Sequence, residues 1–554
     1  MAFHLSRLLT VSSVAALLSL PLAAGAATIT VTETADSFDS TGCSLREAIQ
    51  EINTNGGYVS GCTETGSFGS DDTINLTATQ PYVLSIDGPN EDNNSTGDLD
   101  LLASVNIVGL GSGQTTITAS GFTVGQTDRV LHITQIFSGP VPIAVNLQGL
   151  TIRDGNSNTS GSGGGILVDI PTVDLNLVDV TVTENQSEDD AGGIAFFSSG
   201  GQMTLTNSSV TSNTAPFNGG GIYNGRSSLT TLVDSTIDGN DSQFSGGGIR
   251  NTGILLAVNS TISRNTTSFT LDGDDGLGGG IYNSGEFALI NSTISGNTAR
   301  VDGGGIFSID GRIDAGGDLD NVQALLFNVT IAENTAELGF GGGICNNCQI
   351  NPQGLGREFR VANTLIAQNT AGIAMPDCGG QDPFVSGGYN LIGDATDCNG
   401  FTVTGDQTNV AAGIGALQGN GGPTETHALL TGSLAIDRGN DVEGCQTPVI
   451  ADLVNGTLTL QPLTEDQRGF TRPVAILDPA VPICDIGAYE LQVEEPTPSP
   501  TATPVPPPGA VLLEGSGISC SLGVNGSSAG AASLALFGAV ALFAAWRGFG
   551  LSRK

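Results

Sequence analysis

A repeated glycine-rich stretch constrains the fold of this chain more than any other feature. One copy, at residues 278–299, reads GGGIYNSGEFALINSTISGNTA. The isoleucine after each glycine cluster recurs at intervals of 25 to 38 residues. The seven copies are Ile166, Ile194, Ile222, Ile249, Ile281, Ile306 and Ile344. Self-similarity at this period predicts a solenoid, in which each repeat stacks on its neighbours.

A second apolar marker recurs together with the first in each repeat, and polar residues flank it. The marker residues are Val182, Val210, Ile237, Ile262, Ile294, Ile331 and Ile366. Three positions later stand Asn185, Asn213, Asn240, Asn265, Asn297, Asn334 and Asn369. Three positions earlier stand Asp179, Asn207, Asp234, Asn259, Asn291, Asn328 and Asn363. Because one coil position forms a column in a stack, the later asparagines are predicted to hydrogen-bond along it.

The repeats predict strands rather than helices. Segments such as residues 287–294 are short, β-branched and partly alternating, and they end at Gly or Asn. The repeats are rich in Gly, Ser, Thr and Asn, whereas helical repeats need longer stretches of good helix formers. Short parallel strands stacked about 4.8 Å apart form a parallel β-helix, which is the predicted fold.

The acidic charge of the chain restricts the kinds of molecule that it can bind. The net charge is −38 at pH 7, and Lys554 is the only lysine. Such a surface repels nucleic acid and anionic lipid headgroups, so it excludes nucleic acid and favours cations or neutral partners. Solubility in a saline or calcium-rich medium would explain the same charge without any specific partner.

The N-terminus and the cysteines both indicate export. Residues 1–26 predict a signal peptide, with Arg7, an apolar run at residues 8–22 and a small-residue cleavage site. The local cysteine pairs predict four disulfides, although the sequence leaves their connectivity open. The C-x-x-C at residues 345–348 also fits a redox or metal site, but a loop staple is favoured in an exported chain. The pairs are Cys43 and Cys62, Cys345 and Cys348, Cys378 and Cys398, and Cys445 and Cys484, which leaves Cys520 over.

Residues 27–72 predict a cap for one open end of the solenoid. The segment CSLREAI at residues 43–49 is helical in pattern, and Ser44 and Glu47 form a capping box. An amphipathic helix held by a disulfide would cover the apolar interior and the unpaired strand edges. Arg46 and Glu47 look catalytic in isolation, but a structural role in the cap is favoured.

Several of these motifs carry family resemblances. CSLREAI, followed by DTINL at residues 72–76 and GDLDL at residues 97–101, resembles the N-terminal module of bacterial CSLREA-domain proteins. The GGGI and S-x-I-S-x-N repeats resemble right-handed β-helix proteins and polymorphic outer-membrane protein repeats. These resemblances imply an all-β fold, a right-handed parallel β-helix solenoid over residues 73–395 with an N-terminal capping helix.

Residues 396–492 contain four further motifs in order. They read GGPTETHALL at residues 421–430, AID at 435–437, DQRGFTRP at 466–473 and CDIGAYE at 484–490. This series resembles the choice-of-anchor module that ends many bacterial β-helix surface proteins. The resemblance implies a C-terminal anchor-type module in a protein whose anchoring device varies between family members.

The remaining residues have the layout of an anchored tail. Residues 493–509 are a proline-rich linker. Residues 510–554 contain Cys520, an apolar run just long enough to span a bilayer, and a basic end. This tail predicts sorting, with cleavage or lipid attachment at Cys520. A plain membrane anchor with an incidental cysteine is the alternative.

The best candidate for catalysis is an acidic loop. Asp272, Asp274 and Asp275 could bind Ca²⁺ or hydrolyse glycosides by acid–base chemistry. A lyase would also need a basic residue near the calcium, and the candidates are Arg250, Arg264 and Arg300. A solvated turn, sometimes calcium-bound, is the favoured interpretation of the loop.

His427 is the other catalytic candidate, with Ser433 and Asp437 near it in sequence. No nucleophile motif accompanies these residues, and a triad is defined by geometry rather than by sequence proximity. A structural histidine is therefore favoured.

The function predicted from the sequence is that of an exported bacterial surface protein, anchored by its tail or released. It would bind glycans or proteins outside the cell through loops inserted at residues 266–277, 310–322 and 345–357. A polysaccharide lyase or glycoside hydrolase is the alternative, and a structural surface spacer is the third hypothesis. No cofactor is required in this interpretation, and Ca²⁺ is the one cation that the acidic loop would suit.

Overall fold

The structure is a computed structural model. It describes residues 26–493 except for residues 40, 59, 90, 136–141, 158–160, 269–275, 310–323, 349–357, 441–444, 449–458 and 478–481.

A ten-stranded parallel sheet contains the isoleucines of the repeat. Each isoleucine is the first residue of its strand and pairs with the isoleucine of the next coil, as Ile249 pairs with Ile281. This register confirms the parallel stack predicted from the glycine-cluster spacing. The strands are Leu99–Leu101, Leu131–Ile133, Ile166–Val168, Ile194–Phe196, Ile222–Asn224, Ile249–Asn251, Ile281–Asn283, Ile306–Ser308, Ile344–Asn346 and Cys378–Gly380.

A 23-stranded sheet makes up the rest of each coil. In most coils it contributes two strands separated by a short turn. All its described pairings are parallel except that of Thr28–Val31 with Glu64–Thr65. The strands are Thr28–Val31, Glu64–Thr65, Thr73–Leu76, Tyr82–Val83, Val105–Val108, Thr116–Thr118, Ile143–Arg153, Val173–Thr183, Gln202–Thr206, Ser209–Thr211, Leu229–Val233, Thr236–Asp238, Ile254–Val258, Thr261–Ser263, Glu286–Ile290, Thr293–Ser295, Ala324–Phe327, Thr330–Ala332, Phe359–Ala362, Leu365–Ala367, Phe384–Gly388, Leu391–Ile392 and Gln407–Thr408.

A six-stranded sheet closes the coils, and inward-facing aliphatic side chains fill them. The apolar marker residues lie inside, since Val182, Ile237 and Ile294 have no exposed surface. The all-β, right-handed parallel β-helix is therefore confirmed. The strands of the closing sheet are Thr214–Ala215, Asp241–Ser242, Thr266–Thr267, Thr298–Ala299, Thr335–Ala336 and Thr370–Ala371.

The predicted asparagine column forms a continuous ladder inside the stack. Asn265 Oδ1 accepts hydrogen bonds from the backbone N–H and the Nδ2 of Asn240, at 3.0 and 2.9 Å. Its own Nδ2 donates to Ile237 O and to Asn297 Oδ1, at 3.0 and 2.9 Å. The same pattern joins Asn185, Asn213, Asn240, Asn265, Asn297, Asn334 and Asn369. The buried amides are therefore satisfied from coil to coil.

The asparagines and aspartates three positions before the apolar markers have a different role. Asn207, Asn259 and Asn291 have φ of 47°, 52° and 52°, in the left-handed region. Among residues with a Cβ, Asn and Asp adopt this region most readily. The repeated residue type thus follows from the turn that separates the two strands of the 23-stranded sheet.

The predicted cap helix spans Leu45–Asn53. Ser44 and Glu47 form the capping box, and the apolar face joins the main core. Arg46 is buried beside Asp36, with its Nε 2.6 Å from Asp36 Oδ1, and it also donates to the carbonyl oxygens of Gly97 and Asp98. Arg46 therefore joins the helix to the segment of chain that crosses the first coils. These are the contacts expected of a helix that caps the stack.

The segment after the last coil runs back along the stack. It contains two hairpins, Ile414–Gln418 with Thr426–Leu429 and Gln446–Pro448 with Leu460–Pro462. Gln467 accepts a hydrogen bond from Thr293 Oγ1 at 2.6 Å and donates to Thr261 Oγ1 at 2.9 Å. Because these threonines come from successive coils, the segment covers one outer face of the 23-stranded sheet.

The four predicted cysteine pairs are disulfides in the structure. Their Cα–Cα distances lie between 4.4 and 5.7 Å. Disulfides of this number are typical of exported proteins. The pairs are Cys43–Cys62, Cys345–Cys348, Cys378–Cys398 and Cys445–Cys484.

No helix in the described part of the chain has the length and apolarity that a membrane crossing requires. Residues 1–25 of the predicted signal peptide, the tail at residues 510–554 and Cys520 lie outside the described residues. Their roles stay predictions.

Candidate functional site

The middle residue of each strand in the ten-stranded sheet faces outward. The first and third residues of these short strands mostly point into the core, so the period of two directs the middle residue away from it. Register places these middle residues in one column along the stack. The column is Asp100, His132, Leu167, Ala195, Tyr223, Arg250, Tyr282, Phe307, Cys345 and Gly379.

The central part of this column forms a groove of about 520 Å³. Three consecutive coils supply Tyr223, Arg250 and Tyr282 to its floor. The whole lining is Phe197, Tyr223, Gly225, Arg226, Arg250, Thr252, Tyr282, Ser284 and Ile309. Aromatic rings, hydroxyls and two guanidinium groups therefore line one surface of a strongly acidic chain.

The aromatic rings of the groove are held by contacts along the stack. Phe197 and Tyr223 pack edge to face with centroids 5.1 Å apart. Tyr282 stacks on Phe307 at 5.3 Å, and Phe307 is fully buried. Since Tyr223, Tyr282 and Phe307 stand on paired strands and each packs against another ring, the groove presents a preformed surface.

Arg250 is positioned by a small polar cluster. Its guanidinium carbon lies 3.9 Å from the centroid of the Tyr282 ring, a cation–π contact. Arg250 Nη1 donates to Ser245 Oγ and, at 3.4 Å, to Asn218 Oδ1. Asn218 Nδ2 in turn donates to Asp190 Oδ1 at 2.8 Å. Burial raises the pKa of the Asp190 carboxyl above its ordinary value, an effect that these hydrogen bonds and Arg250 oppose.

Arg226 differs from Arg250 because it is exposed and has no ion-pair partner in the described part of the chain. The groove thus has one fixed cation against an aromatic ring and one cation open to solvent. An arginine fork binds a carboxylate or a sulfate through two parallel hydrogen bonds.

The described lining of the groove lacks the carboxyl pair that glycosidases of the usual kind use. Among the described residues that line the groove, there is no carboxylate and no histidine. Glycosidases of the usual kind need two carboxyl groups on either side of the bond that is cleaved.

The three aspartates of the predicted acidic loop, Asp272, Asp274 and Asp275, lie outside the described residues. Their proposed roles in Ca²⁺ binding or catalysis stay predictions. Of the three candidate arginines, only Arg250 lines the groove. Arg264 forms ion pairs with Asp238 and Glu425, and Arg300 forms one with Glu337.

His427 has the contacts of a structural histidine. It is buried, its Nε2 lies 2.8 Å from Ser295 Oγ, and its Nδ1 lies 2.7 Å from Gly415 O. Burial lowers the pKa of this imidazole below its ordinary value. Ser433 Oγ donates to Ala412 O, and Asp437 Oδ2 accepts the backbone N–H of Ile476. Ser433 and Asp437 therefore hydrogen-bond to backbone groups.

The groove was missed by sequence reasoning, although a signal was present. The residue after the GGGI motif is Tyr223, Arg250, Tyr282 and Phe307 in four consecutive coils. Alignment of the repeats on their isoleucines would have shown an outward column rich in aromatic residues. Phe197 and Arg226 stand at other coil positions, so the repeat pattern does not indicate them.

Comparison with known proteins identifies no family. No known family model and no curated protein matches the chain. Among solved structures, the pectate lyase Pel9A is similar, with 11% identity, a TM-score of 0.37, and 76% of this chain and 88% of that chain covered. ORF18 of Geobacillus virus E2 is similar at 12% identity and a TM-score of 0.34, covering 65% of this chain and 61% of that chain. The resemblances to CSLREA-domain and choice-of-anchor proteins therefore stay predictions.

Proposed function

We propose that this protein is an exported surface protein that binds acidic glycans in the groove of Tyr223, Arg250 and Tyr282. The observation that carries the proposal is the pairing of arginine with aromatic rings on a chain of net charge −38. Acidic residues dominate the chain as a whole, so a local cationic surface that also offers ring faces indicates a specific ligand.

The chemistry of the lining supports a saccharide with carboxylate groups. The partly exposed rings of Phe197 and Tyr223 offer flat apolar area for the C–H faces of sugar rings, and the Tyr223 hydroxyl can hydrogen-bond to a sugar hydroxyl. Arg226, which is exposed, can bind a carboxylate through two hydrogen bonds, and Arg250 adds a fixed positive charge to the same groove. Repetition of the coil spacing along the groove suits an extended chain rather than a compact ligand.

Display at the cell surface is the second part of the proposal. Its support is the predicted signal peptide, the four disulfides, the anchor-type motifs and the predicted tail with Cys520. In this arrangement the β-helix is held outside the membrane by the proline-rich linker. Partners would be extracellular glycans, and the function requires no cofactor.

Binding of polygalacturonate to the full chain tests the groove. We expect Tyr223→Ala and Arg250→Gln each to weaken binding by about tenfold or more, since each removes a principal contact of the ligand. Arg300→Gln is the matched control, because it removes the same charge from a residue that pairs with Glu337 outside the groove lining. Unchanged melting temperatures would show that the variants keep the stack.

Methyl-esterified polygalacturonate is the matched neutral ligand. We expect esterification of the polymer to abolish binding if the arginines bind its carboxylate groups. Equal binding of both polymers, or equal loss in all three variants, would overturn the assignment of the groove. The appearance of unsaturated or reducing ends in the same samples would instead support the lyase or hydrolase alternative. Absence of both binding and cleavage would favour the structural spacer.

A further inference from the structure

A second cluster of polar side chains lies on the outward column, at the N-terminal end of the ten-stranded sheet. Asp100 and His132 are the middle residues of adjacent paired strands, and both side chains are buried although they face away from the core. The chain before Leu99 crosses over them and brings Asp92 to the cluster. Asp169, just after the next strand of the sheet, lies on the other side of the imidazole.

The distances within the cluster match those between ligands of one metal ion. His132 Nδ1 lies 3.3 Å from Asp100 Oδ1 and 3.5 Å from Asp92 Oδ1. These three ligand atoms all lie within 4.8 Å of one another. Two ligands that are each about 2.0–2.1 Å from a tetrahedral zinc ion lie about 3.3–3.4 Å apart.

The polar atoms of the cluster lack hydrogen bonds of good geometry. His132 is only 4% exposed, yet neither of its ring nitrogens makes one in the structure. Asp100 Oδ1 is buried and also lacks one, whereas Asp100 Oδ2 accepts the backbone N–H of Asn94 at 2.7 Å. An unsatisfied buried polar atom is costly, so native proteins rarely leave one. A cation bound between Nδ1 and Oδ1 would satisfy both atoms.

We propose that His132, Asp100 and Asp92 bind a divalent transition metal of the zinc class. A ring nitrogen with two carboxylate oxygens suits zinc, whereas Ca²⁺ and Mg²⁺ prefer sites made entirely of oxygen. The bond to Nδ1 leaves the proton on Nε2, which lies 3.3 Å from Asp169 Oδ1. Asp169 thereby takes the position of the carboxylate that orients a metal-binding histidine.

The metal would join the crossing segment to the first coils. Asp92 is 65% exposed in its side chain and lies outside the strands, while Asp100 and His132 are fixed in the ten-stranded sheet. The same segment is held from the other direction by Arg46 of the cap helix, which donates to Gly97 O and Asp98 O. Zinc would therefore stabilise the attachment of the N-terminal cap.

A protonated histidine is the competing arrangement. Burial lowers the pKa of His132, but the carboxylates of Asp100 and Asp169 outweigh that effect and raise this pKa to about 9. In that case the imidazolium itself would neutralise the carboxylates and no metal would bind. The two arrangements differ in their response to added zinc.

The test is zinc binding by the full chain after treatment with a chelator. We expect calorimetry to show one strong site and the melting temperature to rise with ZnCl₂ but not with CaCl₂. Asp92→Asn should weaken zinc binding by about tenfold or more with little change in the melting temperature of the metal-free protein, because Asp92 is largely exposed. Asp71→Asn removes an equal charge from an exposed position and should leave zinc binding unchanged.

The result that overturns the proposal is equally specific. No zinc bound by the wild-type chain, or zinc binding that Asp92→Asn and His132→Gln leave unaltered, would exclude this site. Stability that falls as pH rises through about 9 in wild type but not in His132→Gln, with no response to zinc, would establish the imidazolium arrangement instead.

Discussion

The asparagine ladder and the outward column of the ten-stranded sheet run along the same stack but differ in composition. The ladder repeats one residue type from Asn185 to Asn369. Over ten positions the outward column repeats only tyrosine. Each ladder amide must match the amide above and below it, whereas an outward side chain meets whatever lies over the sheet at that coil, which is solvent at some coils and another part of the chain at others. Uniform columns therefore mark stability, and a variable column marks the surface on which binding sites lie.

Breaking one rung of the ladder should have the largest effect on stability. Asn265→Ala leaves the backbone N–H and Nδ2 of Asn240 and the carbonyl of Ile237 without their partner. At about 1–3 kcal/mol for each buried unsatisfied group, we expect a loss of roughly 3 kcal/mol, measured by denaturant unfolding. Asn176→Ala is the control, because Asn176 makes a single side-chain bond to Asn146 on a half-buried face. Equal losses from the two variants would show that the ladder has no special role.

The turn asparagines should respond to backbone conformation rather than to hydrogen bonding. Asn207 is exposed and has φ of 47°. Asn207→Val should cost about 1–2 kcal/mol, because a β-branched residue is strained in the left-handed region. Asn207→Gly should be nearly neutral, since glycine adopts this conformation freely. A glycine variant as unstable as the valine variant would contradict this account, and thermal unfolding of the pair decides it.

The smallest effect on stability is expected at Asp241 in the six-stranded closing sheet, and this effect depends on pH. Asp241 stands in register with Thr214 and Thr266, and burial raises its pKa from 3.8 to about 6. Because the folded-state pKa lies above the unfolded value, this carboxyl contributes stability below about pH 4 that is lost as pH rises through 6. Asp241→Thr should therefore melt higher than wild type at pH 7.5.

The comparison at low pH supplies the control for Asp241. The advantage of Asp241→Thr over wild type should shrink on going from pH 7.5 to pH 4, where Asp241 is protonated in the folded protein. Since this side chain is partly exposed, a small shift in melting temperature is expected. A constant difference between the two proteins across this range would assign the effect to packing rather than to charge.

Much of the fold could be predicted from the sequence because the repeat places like residues at like coil positions. Ile249 and Ile281, predicted to be equivalent, pair directly in the ten-stranded sheet. Ser44 and Glu47 are three residues apart, and local sequence suffices to define their capping box. Cys43 and Cys62 are consecutive cysteines, 19 residues apart, and are joined. Each of these features depends on short or periodic spacing.

The candidate sites could not be predicted in the same way. Phe197 meets Tyr223 only because one coil lies above another and both rings turn outward. Gln467 reaches Thr293 across 174 residues, a contact that no local pattern indicates. In the proposed zinc site, Asp92 lies outside the repeated coils. It comes close to His132 only because the segment before Leu99 crosses over the sheet.

What the sequence by itself determined is the stack: its period, its buried columns and the turns that favour asparagine or aspartate. Periodic spacing is sufficient for these features, because each coil repeats the local interactions of the last. What only the tertiary structure decided is the outer surface. Which face is covered by the returning C-terminal segment, and which leaves Arg250 and Tyr282 in an open groove, depends on packing between distant parts of the chain.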